Sequence, residues 1–279
     1  MLFLDAEKKG REACSVQKAF FEIFRDTDYQ LHLGVSENNA FDPHYHSNIE
    51  IVYLIEGEIE ITVGEETQLL TAGQLAVADS YDVHSYRTPE HSLSYVMIIP
   101  LELVGSFSRL NEGKTFATPF LTDPAKTAPV LEAIRGIEQL HESNPLATKG
   151  YLYVILGLLS EALTLVPCAR SVGTIGPMRD ILLYLDHNFQ NPVQMTDLAR
   201  QFGYNKDYLS RIFNSTIGCG FKHYLNLLRA RHAANRLQSS DDSVSDIAEC
   251  AGFTSQRSFN RVFREIYGCT PVEYKRSAR

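Results

Sequence analysis

The sequence is short of the features that would place it outside the cell or in a membrane. It has five cysteines, Cys14, Cys168, Cys219, Cys250 and Cys269, and no two of them form a C-x-x-C pair or stand at zinc-finger spacing. An odd set without such pairs fits a reducing cytoplasm. The N-terminus (MLFLDAEKK) carries acid within its first residues and has no apolar h-region, which argues against a secretory signal. No apolar run reaches the ~20 residues a bilayer requires. The most apolar stretch, Gly150 to Val166, contains Glu161 and reads as a buried helix. Basic charge is also scarce: 26 Lys+Arg against 34 Asp+Glu give a net charge of −8. Taken as an average, that balance argues against a nucleic-acid partner, because a phosphate backbone calls for clustered cations.

The average conceals a division. A length of 279 residues exceeds the roughly 100–200 of one domain, so two domains are expected. The 44% hydrophobic and 22% charged content is ordinary for a globular protein. Between Val166 and Met178 runs VPCARSVGTIGPM, with two prolines and two glycines, a linker signal. The expected division is residues 1–166, a linker at 167–176, and residues 177–279. From Gly176 onward there are 14 basic and 10 acidic residues, and before it 12 and 24, so the two halves carry +4 and −12.

Residues 29–99 alternate with the two-residue period of half-buried strands, clearest where Ile59, Ile61 and Val63 share one face. Closely spaced turn signals at Asp42-Pro43, Glu56-Gly57, Gly64 and Ala72-Gly73 point to an antiparallel barrel or sandwich. From about Pro124 the period becomes helical: Val130, Leu131, Ile134, Ile137 and Leu140, then Leu152, Ile155, Leu156, Leu159, Leu163 and Val166. These two apolar stripes either pack on their own barrel or pair across a two-fold axis.

The C-terminal half contains a repeat. Residues 197–204 (DLARQFGY) match 246–253 (DIAECAGF) at an offset of 49. Past the turn the offset is 50, where Leu209, Arg211, Phe213, Gly218, Cys219 and Tyr224 match Phe259, Arg261, Phe263, Gly268, Cys269 and Tyr274. Each copy reads as a helix, a turn with Gly203 or Gly252 at positive φ, and a second helix, the helix-turn-helix order. Ala199 and Ala248 stand where the paired helices cross closely. Leu198, Phe202, Leu209, Ile212 and Phe213 in one copy, and Ile247, Ala251, Phe259, Val262, Phe263 and Ile266 in the other, form the core stripe. The opposite faces carry Lys206, Asp207, Ser210, Arg211 and Asn214, and Gln256, Arg257, Ser258, Asn260, Arg261 and Arg264. Asn205 and Ser255 precede them as N-caps. Side chains of these types on a second helix read base edges in the major groove, and Lys and Arg further along touch phosphates. Between the copies, Gly220 to Leu237 reads as one helix of about 18 residues, ~27 Å long, a spacer able to hold two recognition helices about one DNA turn, ~34 Å, apart. On it Arg229 reads as structural, while Arg231 and Arg236 are open between ion pairing and the DNA backbone.

Residues 177–279 resemble the DNA-binding domain of the AraC/XylS family of transcription regulators. The resemblance is carried by 195–204 (MTDLARQFGY), 208–213 (YLSRIF) and above all 246–275 (DIAECAGFTSQRSFNRVFREIYGCTPVEYK). It implies that segments 205–214 and 255–266 enter successive major grooves, that the residues before Tyr29 form an arm over an effector pocket, and that RNA polymerase is a possible partner.

In the N-terminal half, residues 43–57 (PHYHSNIEIVYLIEG) place His44, His46 and Glu50 at even spacing, on one face of an unbroken strand, with His84 following. Three imidazoles and a carboxylate suit Zn, Fe, Ni or Mn. The segment resembles the cupin signature, H-x-H-x-x-x-E-x-x-x-x-x-x-G with a later histidine, which implies a small antiparallel β-barrel. It departs from that pattern at Asn38, Asp79, Tyr81 and Thr88. The four residues are read in three ways: a metal centre, a metal-free effector pocket, or satisfied polar residues. Tyr45, Tyr53, Tyr81, Tyr86 and Tyr95 are either walls of that pocket or packing.

The expected fold class is α+β: a cupin-like antiparallel barrel with two following helices, then an all-α domain with two helix-turn-helix motifs joined by a linker helix. The expected function is a cytoplasmic, non-enzymatic, homodimeric regulator that binds double-stranded DNA under control of a small-molecule effector, without a membrane. The alternatives are a metal-dependent cupin enzyme with an accessory helical domain, and an effector-independent DNA-binding protein whose barrel only dimerises.

Overall fold

The computed structural model describes residues 19–26, 30–140, 143–167 and 176–277. Most of the expected arm and nearly all of the expected linker lie outside them. The N-terminal half runs β1 (Phe20–Phe21), β2 (His32–Glu37), β3 (Phe41–Tyr45), β4 (Ile49–Val63), β5 (Glu66–Thr71), β6 (Leu75–Ala78), β7 (His84–Arg87), β8 (Ser92–Ile99), α1 (Gly105–Leu110), β9 (Lys114–Phe116), β10 (Phe120–Leu121), α2 (Pro124–Leu140), α3 (Pro145–Leu163) and β11 (Leu165–Pro167). The C-terminal half is helical: α4 (Gly176–Asn188), α5 (Met195–Phe202), α6 (Lys206–Ile217), α7 (Phe221–Ser239), α8 (Val244–Cys250), α9 (Gln256–Tyr267) and α10 (Pro271–Ser277).

The strand half is organised by β4. Its first part pairs with β6 and β8, and its second part with β5 and β7. One long strand thereby belongs to two sheet halves, one extended by β2 and β10 and the other by β3 and β1. The corner is a bulge between Leu54 and Glu56, followed by Gly57 at φ +79°. A Cβ there would stand 2.1 Å from the His91 carbonyl oxygen, so only glycine lets the strand turn. All pairings are antiparallel except the two-residue contact of β1 with β3. Short strands and closely spaced turns were legible in the sequence, and the expected barrel takes the form of two sheet halves sharing a strand.

Helices α2 and α3 cover the β2-β8-β4-β6 half. Val130, Ile134, Ile137, Leu152, Ile155, Leu156 and Leu159 are all fully buried with Ile49, Ile51, Met97 and Ile99 of the sheet. Each such burial stabilises by about 1.5–3 kcal/mol. Both stripes are therefore covered by their own sheet, and a two-fold partner is not needed to hide them. Helix α3 is long and apolar enough to cross a membrane by length and composition, yet its apolar stripe is core.

In the helical half, each repeat forms the expected motif. Gly203 (φ +76°) and Gly252 (φ +85°) make the turns. At Gly252 a Cβ would lie 2.4 Å from the Gln190 carbonyl oxygen, so this turn is fixed by close approach of the α4–α5 connection as well as by dihedral. Ala199 and Ala248 are 3% exposed at their helix crossings. The spacer α7 is shared: Tyr224, Leu225, Leu227 and Leu228 pack with α4, α5 and α6, while Ala230, Ala233, Ala234 and Leu237 pack with α8 and α9. The first of these cores also takes in Phe21, Tyr45 and Tyr81 from the strand half; the second contains no residue before Ala230 among its buried members.

Candidate functional site

The backbone brings His44, His46, Glu50 and His84 together at the second sheet half. His44 is the last residue but one of β3, Glu50 the second of β4, and His84 opens β7 directly opposite His44 in the ladder. His46 lies just past β3, and the chain bends at Ser47 and Asn48 before β4. The even spacing from His44 to Glu50 therefore does not lie on one unbroken strand: alternation puts His44 and His46 on the same side, and the bend brings Glu50 to them. All four are buried, and one donor atom from each lies within 4.8 Å of the others. His46 Nε2 is 2.9 Å and His84 Nε2 3.4 Å from one Glu50 oxygen; Tyr86 donates its hydroxyl to the other at 2.7 Å.

The histidines are oriented from behind. His44 Nδ1 donates to the Asp42 carbonyl at 2.9 Å, and His84 Nδ1 to the Asp82 carbonyl at 2.8 Å. A carbonyl only accepts, so each of these two rings carries a proton on Nδ1, which leaves Nε2 as the nitrogen a metal would take once it holds no proton of its own. Electrostatics agree. Burial, and then the neighbouring His84, lower the His44 pKa to about 3, which keeps that ring neutral. Burial opposes ionisation of Glu50, but the hydrogen bonds from His46 and His84 outweigh it and hold the carboxyl well below the usual range. Burial pulls His84 down while Glu50 raises it further. One anion among imidazole nitrogens is a donor set matched to a borderline divalent ion such as Zn or Ni.

Above His44 stand two aromatic rings absent from the expected site, Phe41 at 4.5 Å and Phe20 at 5.8 Å between ring centres, each 42% exposed. They are partly exposed apolar rings set against the buried cluster. Buried Glu22 follows them, its pKa raised by burial against the opposing effect of Arg25. Of the five tyrosines, Tyr86 bonds the cluster. Tyr53 is core, Tyr95 donates to Glu138, and Tyr45 and Tyr81 turn towards the helical half.

The departures from the cupin pattern have local causes. Asn38 takes φ +53°, a conformation Asn tolerates where glycine would otherwise stand. Thr88 bonds the Asn39 carbonyl and Ser92. Asp79 and Asp82 lie beside Arg179 of α4, Asp82 at 3.0 Å. Burial, and then the Asp82 charge, raise Asp79 from its usual 3.8 to about 6. A carboxyl that is more readily protonated when folded costs stability as pH rises past 3.8, where the unfolded chain ionises, and the full cost is reached above about 6. Asp79→Asn should therefore stabilise the protein by about 1–2 kcal/mol at pH 7.5. The gain should shrink as pH falls through 6 and vanish by 3.8 in chemical denaturation, and a gain independent of pH would contradict this ionisation.

The second site is the pair of recognition helices. Asn205 caps α6 by accepting from the Asp207 and Tyr208 amides, and Ser255 caps α9 by accepting from Ser258. Lys206, Asp207, Arg211 and Asn214 are exposed on α6, as are Gln256, Arg257, Asn260, Arg261 and Arg264 on α9; Ser210 and Ser258 are half-buried. Gln256 donates to Asn260, and Arg261 reaches Glu265 at 3.4 Å. Exposed pairs of this kind are weak and yield readily to another partner. Of the spacer arginines, Arg229 donates to the Phe189 and Asn191 carbonyls, Arg236 pairs with Asp242, and Arg231 is buried against the strand half. Arg231 is thus enclosed by protein, whereas Arg229 and Arg236 are held by partners nearer the surface.

Residues 31–156 match the AraC-like ligand binding domain model, and residues 198–277 the helix-turn-helix domain model. An uncharacterized HTH-type transcriptional regulator of Staphylococcus aureus strain COL is 23% identical over 82% of this chain and 31% of its own length. The uncharacterized HTH-type transcriptional regulator YtdP of Bacillus subtilis strain 168 is 32% identical over 36% of this chain and 13% of its own. The chain thus spans a third or less of the length of these curated relatives. Among solved structures, the apo form of a ToxT variant from Vibrio cholerae covers 90% of this chain and 99% of its own at 14% identity, with a TM-score of 0.41. With a ligand-binding match on the strand half and a helix-turn-helix match on the helical half, the chain belongs to the AraC/XylS family of transcription regulators.

Proposed function

We propose that the protein is a cytoplasmic transcription regulator in which residues 177–279 bind specific double-stranded DNA and residues 1–166 hold the small ligand that controls this binding. The observation that carries the reading is two capped helices, α6 and α9, which present unburied Arg, Lys, Asn and Gln side chains from duplicate motifs. An enzyme has no use for that duplication. His44, His46, Glu50 and His84 would hold a divalent Zn, Ni, Fe or Mn ion. Bound there, the ion would supply a Lewis-acid point for an oxygen or nitrogen donor of an effector that enters past Phe20 and Phe41. Those two rings favour an effector with an apolar part. A DNA-binding half of only +4 gains little from bulk charge, so affinity rests on placed side chains and on avidity within a homodimer. RNA polymerase is the further partner consistent with this role.

Selection of bound fragments from a genomic DNA library with the full chain tests the reading. Fragments should share two short elements about 10 base pairs apart, one for each recognition helix. Retention of random DNA as strongly as any selected fragment would refute specific binding.

A further inference from the structure

The sheet that carries the histidines has the helical half on its other side. Along the chain the contacts alternate. His44 and His46 face the cluster, whereas Tyr45, between them, is fully buried in the core of the first helix-turn-helix, its hydroxyl 3.5 Å from the Thr216 carbonyl of α6. Ser47, next to His46, accepts from Arg231 of α7 at 2.9 Å. Phe20 stacks near His44, and its neighbour Phe21 packs on Tyr45, Tyr81 and Tyr224. His84 faces the cluster, and three residues earlier Tyr81 donates to Asp186 of α4 at 2.5 Å and meets the Tyr224 hydroxyl of α7 at 3.0 Å. Successive side chains of an extended chain point to opposite faces, so a single strand thickness separates the cluster from the seat of the first motif.

Arg231 fastens that seat. It is 5% exposed and binds Glu102 at 2.6 Å, Ser47 at 2.9 Å and Asp186 at 3.8 Å. Two of these partners belong to the strand half and one to α4. Among the described residues, the buried core of the second helix-turn-helix draws on Ala230 and later residues and takes in none from the strand half; it leans on the first motif through Ile266 and through Gly252 against Gln190.

We propose that this sheet is a two-sided partition through which occupancy of the His44, His46, Glu50 and His84 cluster loosens the first helix-turn-helix and not the second, with Arg231 and Tyr81 as the positioning residues that hold the seat. The inference rests on the metal reading of the cluster. Donor atoms now up to 4.8 Å apart must close around an ion whose bonds are ~2.0–2.1 Å, which sets tetrahedral donors about 3.4 Å from one another. Closure draws the ends of β3 and β7 towards Glu50, and Tyr45, Ser47 and Tyr81 move with them on the reverse face. A close-packed aromatic seat does not deform smoothly, so the shift selects between seated and unseated states.

Hydrogen exchange of the full chain, with zinc chloride as the probe, tests this. Zinc should speed amide exchange in residues 198–217 about fivefold or more, and leave 247–263 within about twofold. Tyr81→Phe and Arg231→Gln should raise exchange in 198–217 without zinc to the zinc-bound level, and zinc should then add less than about twofold while binding within about threefold of its original affinity. Tyr81→Phe loses one hydroxyl and keeps the ring, so it serves where Arg231→Gln fails to fold. Zinc binding with exchange in 198–217 unmoved overturns the partition and leaves the metal reading intact. Equal acceleration in both motifs also overturns it, and failure of zinc to bind overturns both.

Discussion

Binding to a selected DNA site should fall by roughly 30-fold to 20,000-fold when Arg211 and Arg261 are both replaced by alanine, the sum of two losses of about 1–3 kcal/mol each. The two side chains occupy equivalent positions on α6 and α9, and the cores beneath them are distinct. Neither supports the fold: Arg211 is exposed, and Arg261 is 64% exposed with only Glu265 nearby. Folding stability should therefore stay within about 0.5 kcal/mol. The contrast with random DNA decides the role of each arginine. A loss confined to the selected site identifies base readers, whereas an equal loss on random DNA identifies phosphate contacts and should lower the salt dependence by about one ion per arginine.

Glu50→Ala should weaken zinc binding by more than about 100-fold, beyond the 10- to 100-fold typical of residues that only support ligands. Glu50 is the one carboxylate of the four-residue group and lies at 2.9 and 3.4 Å from two of the imidazoles. The substitution also removes the acceptor of the buried Tyr86 hydroxyl, at a cost of about 1–3 kcal/mol in the metal-free protein. Competition with a chelating dye measures the affinity, and thermal melts with excess zinc and with chelator measure the linked stability. Zinc should raise the melting temperature of the parent protein and leave that of the variant unchanged. Retention of affinity within about threefold would place the ion elsewhere.

Much of this was legible in the sequence where a periodic pattern has one physical solution. The offset of 49 and then 50 located both helix-turn-helix motifs, because glycine turns, crossing alanines and polar recognition faces recur in order. The four residues of the cluster were visible as types and spacing. Their true geometry was not, since even spacing reads as one strand and the chain instead bends at Ser47 and Asn48. The attachment between halves was hidden for a general reason. A period of two says that Tyr45 opposes His44 and His46, but not that another part of the chain, 171 residues onward at Thr216, covers Tyr45. The signal was there in Tyr81 and Asp79, where the sequence leaves the cupin pattern at positions that now face α4 and α7. Arg231 looked like Arg236, both open between ion pairing and the DNA backbone, and only the fold separates the buried fastener from the more exposed partner of Asp242.

The unequal mounting of the two motifs has a consequence for how DNA is found. A reader with both heads rigidly fixed must meet both halves of a site in one orientation. Here α8 and α9 rest on a core of their own at the far end of α7, so one head can grip a duplex weakly while the other is still held. Such a grip permits sliding along non-specific DNA. On the coupling proposed above, the target would be engaged in two steps, and the arrival of the second head, governed by the state of the strand half, would set how long the protein stays.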